Sequence, residues 1–392
     1  MAHAALARAR VWATVAFALQ GLMQALVLTN LPGLEDRTGI GDTEVSLVVL
    51  AVLVFAAIGS LVGGAAAVRR GSAFLLVPAF TLQAAAVLLA MINLPFAALF
   101  PVYALFGFGV GLGDAGNGMQ GLTIQRAYGR PIFTTFYAFQ TAAAIAGALI
   151  VSGINGTGAP FEVSFLVGAV IALGAVPGLI RGLARDPEQG VPEAAKPPLP
   201  WRGLTLFGLV ILVVYVGDGV VSTWSSVYID KTFVASAAVL PLGYAAYQGM
   251  VLLARIFGDR LVAGVGRVVV ICFAVALATA GFLLAAVAPT VWLAVAGFAV
   301  VGLGLGVIVP LSFSASGDLA PEQIDEIVSR LNLFNYVGVV VGSAATGIIA
   351  DATSWRFALL VPAALILGIL TVAHTYRERA VPAPPPTSAP AV

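Results

Sequence analysis

The sequence predicts an all-α polytopic membrane protein of twelve transmembrane helices arranged as two pseudo-symmetric six-helix bundles. Three observations carry this: the length of the apolar runs, the one-sided distribution of basic residues, and a repeat at a fixed offset. Of 392 residues, 60% are apolar and 9% charged, against roughly a quarter charged in soluble domains. A single core cannot hide that much apolar surface.

A spanning helix needs about 20 apolar residues. Such runs recur near 11–31, 43–68, 72–92, 96–124, 131–154 and 161–183, then near 203–228, 234–257, 267–287, 291–316, 327–350 and 355–376. Membrane β-strands alternate apolar and polar residues over about ten positions, and these unbroken runs do not. The first run is longer than a signal's apolar region and lacks a small-residue cleavage site, so it is read as helix 1.

Basic residues favour cytoplasmic loops. Arg8, Arg10, Arg69, Arg70, Arg126, Arg130, Arg181, Arg202, Arg255, Arg260, Arg267, Arg330 and Arg377 fall on one side of this topology, and only Arg37, Lys231 and Arg356 on the other. Both termini are expected in the cytoplasm. The preponderance of arginine, alanine, glycine and valine suggests a GC-rich bacterium, and hence its plasma (inner) membrane.

The proline-rich stretch between Arg181 and Arg202 favours an extended linker. The division expected is an N-terminal half (1–183), a cytoplasmic linker (184–202), a C-terminal half (203–376) and a disordered Ala/Pro-rich tail (377–392). Shifting the chain by 195 residues superimposes Gly63 on Gly258, Gly71 on Gly266, Gly107 on Gly302, Gly109 on Gly304, Gly111 on Gly306 and Gly147 on Gly342. A fixed offset marks a repeat, here a six-helix unit duplicated in the same orientation.

Several function classes drop out. Net charge is +1, so nucleic acid is not an expected partner. Cys272 is the lone cysteine and His3 and His374 the only histidines, which leaves no expected metal site and no catalytic role. No Gly-x-x-x-x-Gly-Lys-Ser/Thr segment occurs for ATP phosphates, and no enzyme activity or resident cofactor is expected. The expected partners are the lipid bilayer and a small-molecule or short-peptide substrate, with the protein acting as a monomer.

Two intramembrane carboxylates are the candidates for chemistry. Asp114 lies twelve residues before Arg126, or about 18 Å along a helix, near the middle of the bilayer. A charge there costs about 2.5–3.5 kcal/mol on insertion scales and usually faces a polar cavity or ion path. Asp218 lies between Gly217 and Gly219, somewhat toward the outer face. Each is read as a proton-coupling carboxylate, with a structural aspartate bonded to a neighbouring helix as the alternative. Gln20, Gln24, Asn117, Gln120, Tyr137, Gln140, Trp224, Tyr244, Tyr247, Gln248, Asn332, Asn335 and Tyr336 are candidates for a cavity wall, with interhelical contact as the bland reading of each. No arginine or lysine is expected within the membrane near them.

Two parallel six-helix halves joined by a cytoplasmic linker resemble the major facilitator transporters, whose substrate site lies between halves near mid-membrane. The family's loop signature between helices 2 and 3 survives only as Gly64 to Gly71, with Arg69 in place and Val68 where an aspartate belongs. The corresponding segment after helix 8 holds Arg255, Gly258, Asp259 and Arg260. The resemblance implies that Arg69, Arg255, Asp259 and Arg260 form a gating loop. The glycine run with Asp114 and Asn117, Asp218 with Trp224 and Tyr228, and Asn335, Tyr336, Gly338 and Gly342 are similar to the fucose-permease-like branch. The arginine in helix 4 and Gly-Pro in helix 5 usual in proton-coupled drug exporters are absent, so the main drug-antiporter branch is not expected.

What the resemblance implies is a secondary transporter working by alternating access. Proton-coupled export of a small amphipathic compound or short peptide, proton-coupled import of a sugar or similar polar solute, and a non-cycling receptor on a transporter scaffold are the three readings open at this point.

Overall fold

A computed structural model describes residues 3–92, 94–128, 132–183, 200–319 and 324–377. The linker expected over 184–199 and the tail from 378 lie outside them, as do the side chains of Arg69, Asp259 and Asn332. Among the described residues there are helices and no strands: α1 (His3–Thr29), α2 (Leu31–Thr38), α3 (Asp42–Arg70), α4 (Ala73–Ala90), α5 (Phe96–Tyr128), α6 (Phe133–Gly156), α7 (Glu162–Gly182), α8 (Trp201–Thr232), α9 (Leu242–Val265), α10 (Arg267–Val287), α11 (Val291–Gly317) and α12 (Ile324–Ala352). The last apolar run is broken into α13 (Trp355–Ala358), α14 (Leu360–Gly368) and a 3₁₀ segment (Ile369–Tyr376). Among the described residues, eleven spans, the broken last run included, are long and apolar enough to cross a membrane. The 24-residue α9, which carries Arg255 and Arg260, brings the bundle to the twelve expected.

Three boundaries differ from expectation. A short α2 follows the first span, started by Pro32 and stopped by Gly39 in the left-handed region at φ 67°, the usual asymmetry of helix ends. The linker gives way to helix at Trp201, two residues early. Most consequential, α9 begins at Leu242 and not near 234, because Pro241 takes the N-cap and a proline is tolerated at a helix start but not in its interior.

The 195-residue repeat is present contact by contact. In lipid, helix association depends on close packing more than on the hydrophobic effect, and small residues permit it. A Cβ on Gly107 or Gly111 would stand 2.1 Å from the Val52 carbonyl oxygen or 1.9 Å from that of Ala56, so these glycines seat α5 on α3. A Cβ on Gly302 would likewise stand 2.2 Å from the Tyr247 carbonyl oxygen and one on Gly306 3.0 Å from that of Val251, seating α11 on α9. Tyr247 and Val251 are Val52 and Ala56 shifted by 195. On the other face of α5, Gly109 meets the Ala79 carbonyl, and Gly304 meets that of Ala274, again 195 apart. Gly71 and Gly266 turn the chain at φ 82° and 83° between equivalent helices.

The two halves meet where α3 packs on α12 and α6 on α9. Polar contacts between them gather at the end away from the N terminus. Thr43 donates to Asp351 at 2.7 Å, Ser152 to the Ala238 carbonyl at 2.6 Å, and Asn155 to the Ala237 carbonyl at 3.2 Å. Lys231 on α8 pairs with Glu35 on α2 at 3.1 Å.

Glu35 is 3% exposed. Burial pushes its carboxyl from 4.5 up to about 8; Lys231 opposes that rise and the neighbouring Asp42 adds to it. A carboxyl raised above its unfolded value binds more protons folded than unfolded, so its contribution is full below about pH 4.5 and is lost as pH rises through about 8. Thermal stability should therefore fall over that window. Glu35→Gln should flatten the fall, and an unchanged pH profile in the variant, read by differential scanning fluorimetry, would count against this assignment.

Candidate functional site: a central cavity with a carboxylate from each half

Between the halves lies a cavity of about 1170 Å³, walled by α1, α3, α5, α6, α8, α9 and α12, with Leu31 at the start of α2. Its exposure is graded along its length. Val27, Leu31, Val48 and Tyr244, toward the closed end, are at most 4% exposed, whereas Leu61, Leu122, Tyr137 and Tyr336, nearer the N-terminal face, are 40–77% exposed. The cavity is thus open toward the side that carries the N terminus.

Asp114 enters the wall from α5 and Asp218 from α8, one from each half. Gln20 donates from Nε2 to Asp114 Oδ1 at 3.0 Å and to the Val110 carbonyl at 3.0 Å. Gln83 donates in turn to Gln20 Oε1 at 3.2 Å. Two acceptors facing one nitrogen fix the orientation of the Gln20 amide. The Asp114 carboxylate is therefore held by a neutral amide relay, and no described cation accompanies it. Asp218 differs: Tyr247 donates its hydroxyl to Oδ1 at 2.5 Å, and Arg255 is close enough to act on it electrostatically.

Among the cavity candidates, Gln24, Tyr137, Gln140, Tyr244, Gln248, Asn335 and Tyr336 line the wall. Gln20, Asn117, Gln120, Trp224 and Tyr247 do not; they are buried between helices. Gln120 donates to Ser72 at 2.8 Å, and Trp224 donates its indole N–H to the Ser343 carbonyl at 2.7 Å. Asn117 is 3% exposed with both amide atoms unpartnered among the described residues. Asn332 has no described side chain.

The expectation that no cation lies near the cavity is corrected. Arg255, expected in a gating loop, sits at the middle of α9, thirteen residues from Leu242 and ten from Val265, and acts electrostatically on Tyr137, Tyr215 and Asp218. Arg260 is nearer the helix end, its guanidinium 6.0 Å from the Phe257 ring centroid. Sequence reasoning missed Tyr215, one helical turn before Asp218 on the same face, and Ser222, one turn after it; both line the cavity. It also missed Gln83, for which depth in an otherwise apolar α4 was the available signal.

Fold and site together define a polytopic membrane protein built in two halves around one central solute-sized cavity. Residues 206–391 match the model of the Major Facilitator Superfamily. The chain is similar to an uncharacterized MFS-type transporter of Yersinia pestis, 27% identical over 93% of this chain and 94% of the relative. It is similar as well to an uncharacterized transporter of Sinorhizobium fredii, at 29% over 89% and 94%, and to the membrane protein MosC of Rhizobium meliloti, at 25% over 88% and 84%. Two crystal structures of the nucleoside transporter NupG, one of a mutant, superimpose with TM-scores of 0.75 and 0.71 at 14% identity, over 94% of this chain and 99% of theirs. The match to the Major Facilitator Superfamily model thus covers the C-terminal half of the chain, and the likeness to the MFS-type transporter of Yersinia pestis extends over nearly all of it.

Proposed function

We propose that the protein is a secondary active transporter that works by alternating access and couples solute movement to protons at Asp114 and Asp218. The supporting observation is a pair of carboxylates, one from each half, facing the same cavity. A neutral carboxyl crosses a dry intermediate far more cheaply than a carboxylate, so a proton taken up on one side and released on the other gates the rocking of the halves. Positively charged loops on the side of the termini orient that side, and the cavity mouth, toward a bacterial cytoplasm. The solute is a small amphipathic organic compound or short peptide, matched to a wall of valines and leucines with five tyrosines, and the direction is export. A single chain holds the whole cavity, which supports a monomer.

A second reading, proton-coupled import of a sugar or nucleoside-like solute, draws on the wall amides Gln24, Gln140, Gln248 and Asn335, which can bond hydroxyls. The test is solute-dependent proton movement in proteoliposomes under an imposed pH gradient. Flux that follows solute addition supports transport and reports its direction. Saturable binding with no proton movement for any solute would replace this reading with a non-cycling receptor.

A further inference from the structure

We propose that the cavity selects an amphipathic organic cation, with the cationic head held against Asp114 between Tyr137 and Tyr336 and the apolar body against the valine-rich wall. This rests on the reading of the cavity as a solute site and deepens it.

Charge supplies the first argument. Asp218 has the Tyr247 hydroxyl on Oδ1 and Arg255 acting on it, whereas among the described residues Asp114 has only the neutral Gln20 amide. One negative charge is thus left uncompensated in a largely apolar chamber, where an unpaired carboxylate is costly. A solute that brings a positive charge removes that cost. A neutral solute leaves it, and an anion adds to it.

The surroundings of Asp114 supply the second argument. Tyr137 from α6 and Tyr336 from α12 both line the cavity with it, one from each half, and both feel its charge, Tyr137 feeling that of Arg255 as well and Tyr336 only that of Asp114. Tyr137 is fixed edge-on against Phe17, ring centroids 5.2 Å apart. Aromatic faces beside a carboxylate are the arrangement that attracts an organic cation, through ring quadrupole and charge together. Because the two rings belong to different halves, an occupant of this position bridges the moving parts. Val48, Val52, Val340 and Val341 continue the wall and supply apolar surface for the body of the solute.

Phenyl-rich probes of similar bulk and three charges test this. Purified protein in lipid nanodiscs, with empty nanodiscs subtracted and no pH gradient, would be titrated with tetraphenylphosphonium, with tetraphenylborate as its anionic isostere and with neutral triphenylphosphine oxide. The expected result is saturable binding of the phosphonium at least about tenfold tighter than either control, a difference of about 1.4 kcal/mol. That binding should weaken on acidification, since a protonated Asp114 no longer attracts a cation. Asp114→Asn should weaken it about tenfold and abolish the pH dependence. Tyr336→Leu, at a half-exposed wall position, should weaken it about threefold by removing one cation–π face. Equal or tighter binding of the borate or the neutral probe, no saturable phosphonium binding, or unchanged affinity in both variants would overturn the proposal. Because binding is read without a gradient, the two readings fail separately. Proton flux driven by a neutral solute, without phosphonium binding, removes the cation class alone, and phosphonium binding without any flux removes transport alone.

Discussion

Asp114→Asn is expected to reduce solute-dependent proton flux in proteoliposomes to background while leaving the fold intact. Asparagine keeps an oxygen where Gln20 Nε2 donates at 3.0 Å, so the relay through Gln20 and Gln83 survives. What disappears is the titratable charge. A carboxylate near mid-membrane costs about 2.5–3.5 kcal/mol on insertion scales, so the amide should leave thermal stability unchanged or raise it. A stable, solute-binding variant with wild-type proton flux would remove Asp114 as the coupling group and leave Asp218, with its bond from Tyr247, as the candidate. A variant that neither folds nor binds would mean that the carboxylate serves the packing of α1, α4 and α5.

The second large effect concerns the contact that closes the end away from the N terminus. Thr43 and Asp351 meet at 2.7 Å across the halves. In a background with Cys272, the single cysteine of the chain, changed to serine, the double variant Thr43→Cys/Asp351→Cys should accept a short thiol crosslink. A tether at this point holds the halves in the arrangement described here, so flux should fall to background and return when the tether is cleaved. Full flux through the tethered protein would show that opening of this end is not part of the cycle. Glu35 and Lys231 close the same end, so the pH response expected of Glu35 bears on the same movement.

Much of this arrangement was legible in the sequence because membranes restrict what a chain can do. Backbone groups in lipid must be satisfied internally, so run length alone gives the spans. Helix contact through carbonyl-to-glycine approach needs glycine, so the repeat is written in Gly107, Gly109 and Gly111 and their partners 195 residues on. The depth of Asp114 followed from helical rise. What was not legible was rotation and start position. Gln20 and Gln24 are one turn apart, yet Gln24 faces the cavity and Gln20 is drawn back between α4 and α5 by Asp114, a pairing that spans 94 residues. Reading α9 from 234 places Arg255 at the end of a span. Starting at Leu242 moves it about 12 Å, to the middle, beside Asp218. A run of small apolar residues before Pro241 reads as helix by composition, and only the proline signals otherwise.

In the proposed cycle the two halves rock about the cavity so that its ends open in turn. Spin labels at Thr157 and Val234, exposed at the closed end and belonging to different halves, report one end. Labels at Ala127 and Leu261, exposed near the N-terminal face, report the other. Pulsed electron–electron resonance distances should change reciprocally as pH or solute is varied, the first pair lengthening as the second shortens. Distances that stay fixed at both ends, or lengthen together, would contradict alternating access.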